Sequence, residues 1–268
     1  MFVPTFMHYQ EGNRVMVSGE KFEQIVYGYW ANRFDCQLAE FDRKCTKFIK
    51  EDDLVEKGKA YIYQIKNMCV VRMAPDLVGA IDEPMAFDKA SSHLTGKKMQ
   101  MLLGGNFRVA LENTLLDIFL DTIDFTPIPI MDNVTSRQID PHADGEILRA
   151  FYGDCTEEDL DEAEIYIDEP DPVIFGLFEK NQMAAYASHR YWDNVIADIG
   201  VLVHPEYRSK GLGKAVVSII CEWCIQNDVV PMYRVFYYNA HSLRIPASLG
   251  FKERVTIETF KVDRKQTG

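Results

Sequence analysis

Residues 201–217 read VLVHPEYRSKGLGKAVV, and the fold turns on this stretch. A β-prone run, Asp198–Val203, enters a turn holding Arg208, Gly211 and Gly213. A strongly helical pattern then runs from Gly213 to Asn227. The first N–H groups of a helix lack intrahelical partners and carry about half a positive charge, so a strand, turn and helix in this order make an anion cradle. Glycine at 211 and 213 permits positive φ and keeps side chains away from a diphosphate. Arg208, Lys210 and Lys214 gather positive charge there, against a formal net charge of −12 for the chain.

Three phosphate loops compete for this pattern. A Walker loop needs Gly-Lys followed by Ser or Thr, and Ala215 follows Gly213-Lys214. A dinucleotide fingerprint needs a third glycine where Val216 stands. What remains is R-x-x-G-x-G between a strand and a helix.

Working outward, Arg234–Tyr238 reads as a strand and Ser242–Leu249 as a short helix stopped by Gly250. Arg254–Val262 reads as a last strand. Upstream, Val173–Phe178 and Met183–Ser188 flank Glu179–Gln182 as a hairpin. Ile147–Phe151 suggests a short helix. Thr156 and Asp159 form a capping-box pattern, with Leu160, Ala163 and Ile167 at helical spacing and Pro170 as the stop. Pro127 and Pro129 break the chain at residues 126–136, TPIPIMDNVTS, which marks a domain boundary.

Before that break, Phe22, Ile25, Val26, Tyr29 and Trp30 fall on one helical face with Ser18 as candidate cap. Tyr61–Ile65 and Met68–Met73 suggest a second hairpin. Gly104-Gly105 precedes a helical spacing at Phe107, Ala110, Leu111, Thr114, Leu115 and Ile118, and reads as a plain turn.

The stretch ADIGVLVHPEYR (197–208), the stretch NAHSLRIPASLGF (239–251) and the order hairpin, strand, helix, strand, helix, strand together resemble the GNAT superfamily of acyltransferases, over about Ser136–Val262. The expected fold is α/β, an α+β mixed sheet with a GNAT-like acyltransferase fold and a second, N-terminal α/β domain. The division expected is 1–130 for the companion domain and 131–268 for the acetyltransferase domain. YWANRFDC (29–36) and VVRMAPDLV (70–78) resemble the N-terminal region of two-domain members, which implies no chemistry.

The resemblance implies that acetyl-CoA, as cosubstrate, lies between splayed strands Asp198–Val203 and Arg234–Tyr238. Backbone groups of Val201, Leu202 and Val203 would hold the pantetheine arm and polarise the thioester. The loop Arg208, Ser209, Lys210, Gly211, Leu212, Gly213 and Lys214 would take the diphosphate. Asn239 and Ser242 would touch the cofactor or fix the closing helix, an N-cap being the other reading of Asn239. Asp198 is the candidate base, with a structural strand carboxylate as the alternative. The family's usual general acid is a tyrosine seven residues after the asparagine, where this chain has Pro246. Tyr238, its neighbour Tyr237 or water would substitute.

The function implied is acetyl transfer from acetyl-CoA to a primary amine by direct attack. A non-catalytic module binding coenzyme A or a partner protein is the alternative. Asp154–Asp171 carries ten acids in eighteen residues with no Lys, Arg or His. A solvated helix face is the leading explanation, and a wall that attracts a cationic small-molecule or peptide amine is the second.

No metal is expected: the six histidines share no ligand spacing, and Cys221 and Cys224 lie in an apolar helix with no second pair to complete a zinc site. The acidic charge argues against nucleic acid. No apolar run approaches the roughly 20 residues of a membrane helix. The N-terminus MFVPTFMHYQ is not a signal peptide, so a cytoplasmic protein is expected, with a homodimer as one assembly.

Overall fold

The computed structural model describes residues 17–82, 94–103, 106–166 and 169–265. Its elements in chain order are α1 (Gly19–Arg33), β1 (Cys45–Lys50), α2 (Asp53–Lys57), β2 (Lys59–Ile65), β3 (Met68–Met73), α3 (Pro75–Asp82), α4 (Gly96–Leu103), β4 (Phe107–Phe119), β5 (Val134–Gln138), α5 (Gly145–Gly153), α6 (Glu157–Glu162), β6 (Val173–Glu179), β7 (Gln182–Trp192), β8 (Ile196–Val203), α7 (Leu212–Gln226), β9 (Val230–Phe236), α8 (Ala240–Leu249) and β10 (Lys252–Arg264). The strands join one mixed sheet in the order β1-β3-β2-β10-β4-β9-β8-β7-β6-β5. The architecture is mixed α/β, with an N-terminal α/β region whose strands extend the sheet of the C-terminal part.

The N-terminal strands and the core share that sheet. β10 pairs antiparallel with β2 on one side and with β4 on the other. β4 in turn pairs antiparallel with β9. Residues made before the Pro127–Pro129 break thus sit inside the sheet built by residues made after it.

Side-chain alternation sorts the core onto two faces. Helix α7 packs on one face, where Val216, Val217 and Ile220 are fully buried with Leu116 and Ile118 of β4. Each such aliphatic side chain contributes about 1.5–3 kcal/mol through burial. On the opposite face, α1 covers Val230 and Met232 of β9. Helix α5 buries Leu148 and Phe151 there, against Tyr186 and Leu202.

Both hairpins form, at β2–β3 and β6–β7. The capping box forms too: Asp159 N donates to Thr156 Oγ1 at 3.1 Å and Thr156 N to Asp159 Oδ2 at 3.1 Å. Helix α6 ends at Glu162, short of Ala163, and Ile167 lies outside the described residues. Ser18 occupies the N-cap position of α1, but its side chain caps nothing. Gly19 N instead donates to Asp121 Oδ2 at 3.0 Å, a cap supplied from far along the chain.

Two expectations are corrected. The spacing Phe107 to Ile118 is the strand β4, not a helix, and Gly104-Gly105 before it lies outside the described residues. Strands hydrogen-bond both of its edges, and that pairing overrides a local 3–4 spacing. The strand expected at Arg234–Tyr238 runs Val230–Phe236, leaving Tyr237 and Tyr238 beyond it.

Candidate active site

β8 and β9 are parallel neighbours only where Ile196, Ala197 and Asp198 face Val230, Pro231 and Met232. Past Asp198 they separate, so backbone groups of Ile199–Val203 turned toward β9 have no strand partner on that side. A cavity of about 340 Å³ opens in the gap. The strands diverge over α8, whose Ile245 lies within 3.2 Å of where a Cβ on Gly213 would stand. Val203 is equally close on the other side, at 3.3 Å. A Cβ at 213 would therefore require these two side chains to give by a few tenths of an ångström.

The turn between β8 and α7 is shaped by local chemistry. His204 Nδ1 accepts from Glu206 N at 3.2 Å, starting a 3-10 turn at Pro205–Tyr207. Ser209 and Gly211 then take φ of 63° and 82°, the left-handed region. No side chain caps α7, and a Cβ at Gly211 would meet nothing within 4 Å. Residues 208–211 are exposed, Leu212 and Gly213 are buried in the first helical turn, and Lys214 is half-buried. The amide-rich mouth of α7 is open and has no acid of its own at the first turn.

Arg208 is already engaged. Its Nε donates to the Val203 carbonyl at 3.2 Å, and its terminal nitrogen pairs with Asp159 of α6 at 2.7 Å. Asn239 caps α8 by accepting from Ser242 N at 2.9 Å, and its amide donates to the Glu162 carboxylate. The acidic stretch is therefore more than a solvated face: Asp159, Glu162, Glu164 and Asp171 all line the cavity. Asp171 is buried and accepts from Ser188 and Arg190. The Ala163 carbonyl lies 2.6 Å from where a Cβ on Gly200 would be, so only glycine lets this segment close on β8.

On the α1 face, three charged side chains stand on adjacent strands. Arg234 donates to both oxygens of the fully buried Asp117, at 2.8 and 3.1 Å. Its guanidinium lies 4.6 Å from the centre of the Trp192 ring. Asp198 lines the cavity beside it. Burial pushes the Asp198 carboxyl up to about 7, an effect that Arg234 opposes and that Glu164 and Asp117 reinforce. Such a group holds a proton in about half the molecules at neutrality and can exchange it.

The structure brings Asp198, Val201, Leu202, Val203 and Arg208 to one cavity, with Asn239 and Ser242 across from them. Tyr238 is not brought there: it is 72% exposed, outside the lining, and its ring stacks on Phe236 at 5.3 Å. Tyr237 is likewise exposed. The tyrosine that does line the cavity is Tyr233, whose hydroxyl is hydrogen-bonded to Ser242 and whose pKa burial drives well up. Sequence reasoning missed Tyr233, Arg234 and Asp117. The one local hint was a charged residue inside the apolar run VPMYRVF.

Among the described residues, no group of three or more His, Cys, Asp or Glu side chains could hold a metal ion. Cys221 and Cys224 are free, fully buried thiols within the α7 core. Among the described residues, no helix is long and apolar enough to cross a membrane.

Residues 144–251 match the family model described as Acetyltransferase (GNAT) family. No curated protein matches the chain. Among solved structures, a GCN5-related N-acetyltransferase from Kribbella flavida is similar at 15% identity and a TM-score of 0.44, covering 62% of this chain and 63% of that one. A GNAT-family acetyltransferase from Colwellia psychrerythraea is similar at 19% identity and a TM-score of 0.44, with 61% of each chain covered. A GCN5-related N-acetyltransferase-like protein from Streptococcus suis is similar at 16% identity and a TM-score of 0.44, covering 82% of this chain and 81% of that one. The chain spans less than two thirds of the Kribbella and Colwellia structures.

Proposed function

We propose that the protein is an acyl-CoA-dependent N-acyltransferase that moves an acetyl group from acetyl-CoA to a primary amine. The observation that carries this reading is the cavity where β8 and β9 part, beside an open helix mouth of the kind that accepts a diphosphate. Backbone groups of Val201, Leu202 and Val203 would hold the pantetheine arm. Residues Arg208–Lys214 would take the diphosphate, with Asn239 and Ser242 bordering the same cavity.

In the reaction, the amine nitrogen bonds to the thioester carbonyl carbon and the carbon–sulfur bond breaks. The amine is cationic near neutrality, so Asp198 accepts its proton, directly or through water. A fixed N–H aimed at the developing oxyanion lowers the barrier by about 3 kcal/mol. Holding both reactants in one cleft supplies much of the rest. The leaving thiolate belongs to a thiol of pKa about 8.5, so it departs without an obligatory acid. Pro246 in place of a tyrosine therefore does not disable the site. Tyr233, inside the cavity, is better placed than Tyr238 to return a proton.

Calorimetric titration with acetyl-CoA tests the reading, and Gly211→Asp and Arg208→Glu should each abolish or strongly weaken binding. Wild-type protein that does not bind, or variants that bind equally well, would refute it. Thiol release from acetyl-CoA across an amine panel decides between enzyme and inert module, because turnover with any amine rejects the module.

A further inference from the structure

A second cavity, of about 330 Å³, lies under α1 and shares Leu115 and Arg234 with the first. An occupant of one can therefore reach groups of the other. We infer that this second cavity is the acceptor subsite, and that it takes the body of an amine built on a planar aromatic ring ending in a carboxylate. The inference rests on the transferase reading above and names the substrate class for it.

The walls argue for a flat ring. Tyr29 and Trp192 line the cavity with ring centres 5.1 Å apart, and Trp30 meets Tyr63 at 5.6 Å. Aromatic faces and edges at these angles suit offset or edge-on packing of one more ring. A cavity of roughly 150 Å³ already holds benzene, so this one has room for a substituted ring.

The polar groups argue for an acceptor-bearing, anionic end. Trp30 is 2% exposed, lines the cavity, and its indole N–H has no hydrogen-bond partner among the described residues. The charged described residues in the lining are Arg33 and Arg234, with no carboxylate among them. Asp117 answers Arg234, which leaves Arg33 to meet the ligand's charge. An aromatic cage for a quaternary cation would have no reason to present two guanidiniums.

The other end of the ligand faces opposite chemistry. Beyond the shared Arg234 lie Asp198 and Glu164 in the reaction cleft. A bipolar acceptor thus has its amine among carboxylates and its carboxylate at Arg33, with the ring between them. Of the acidic stretch, Glu164 then faces the amine, and a polycation would be repelled at the far end.

4-(Aminomethyl)benzoate is the probe, with benzylamine and 1,4-bis(aminomethyl)benzene as comparisons. Binding is read by quenching of tryptophan fluorescence in the full chain, without acyl donor. The expected result is that 4-(aminomethyl)benzoate binds at least ten-fold tighter than either comparison. Arg33→Met should remove that preference, and Trp30→Phe should weaken binding at least five-fold. Arg33 is exposed on α1, so loss in that variant cannot be ascribed to unfolding. No binding, equal binding of the dication, or binding unchanged in both variants would overturn the assignment. Thiol release from acetyl-CoA with n-butylamine but no binding of the probe overturns the pocket alone. Binding of the probe without thiol release from any amine overturns the acceptor role together with the transferase reading.

Discussion

At Asp198 stability and function pull apart. Its carboxyl ordinarily titrates at 3.8 and is pushed up to about 7 by burial. Between those values the folded protein holds a proton that the unfolded chain has lost, so stability falls as pH rises from about 4 through about 7. Asp198→Asn should therefore raise stability at pH 8, by roughly 1–4 kcal/mol, as read by denaturant unfolding. The same change should cut acetyl transfer by roughly 10²–10⁴-fold with acetyl-CoA affinity unchanged. In the wild type, thiol release should climb as pH rises through about 7 and then level off. An inflection that survives in Asp198→Asn would assign the proton acceptor elsewhere. The sequence placed Asp198 on its strand but carried no sign of what shifts it. Arg234 and Asp117 lie 117 positions apart, and nothing local to either announces the other.

Among the elements, those with local signals were legible and those defined by distant partners were not. α7 follows a glycine in the left-handed region, α8 ends at Gly250 with φ of 98°, and α6 begins at its capping box. Each of these is written within a few residues. β4 is written by β9 and β10, which lie more than a hundred residues downstream, so its own spacing misled. Helix α6 also does something its sequence only hinted at: it brings Asp159 to Arg208 and Glu162 to Asn239. An acid that occupies this guanidinium would compete with the diphosphate proposed for it. Asp159→Asn keeps an oxygen for the cap and releases the arginine. Calorimetry should show acetyl-CoA binding about 1.5–5-fold tighter, in line with the roughly 0.2–1 kcal/mol of a surface ion pair. Weaker binding instead would mean that Asp159 presets Arg208 rather than rivals the ligand.

For the whole molecule, the two halves expected at 1–130 and 131–268 are a proposal about folding units that the shared sheet puts under strain. A fragment 131–268 would lack β4 and leave β9 and β10 as unpaired edges, which invite aggregation. It should be insoluble or show no cooperative thermal transition by circular dichroism. Soluble, cooperatively unfolding 131–268 would establish it as a domain in its own right. β10 adds a condition on time. During translation β2 and β4 leave the ribosome long before β10, the strand that must lie between them. Until it arrives they have a gap for a neighbour, and the acceptor pocket lacks the wall formed by Ile257 and Thr259. A nascent chain cut short before residue 252 therefore cannot assemble that pocket, and the acceptor site proposed for it would be complete only once the sheet's final described strand is made.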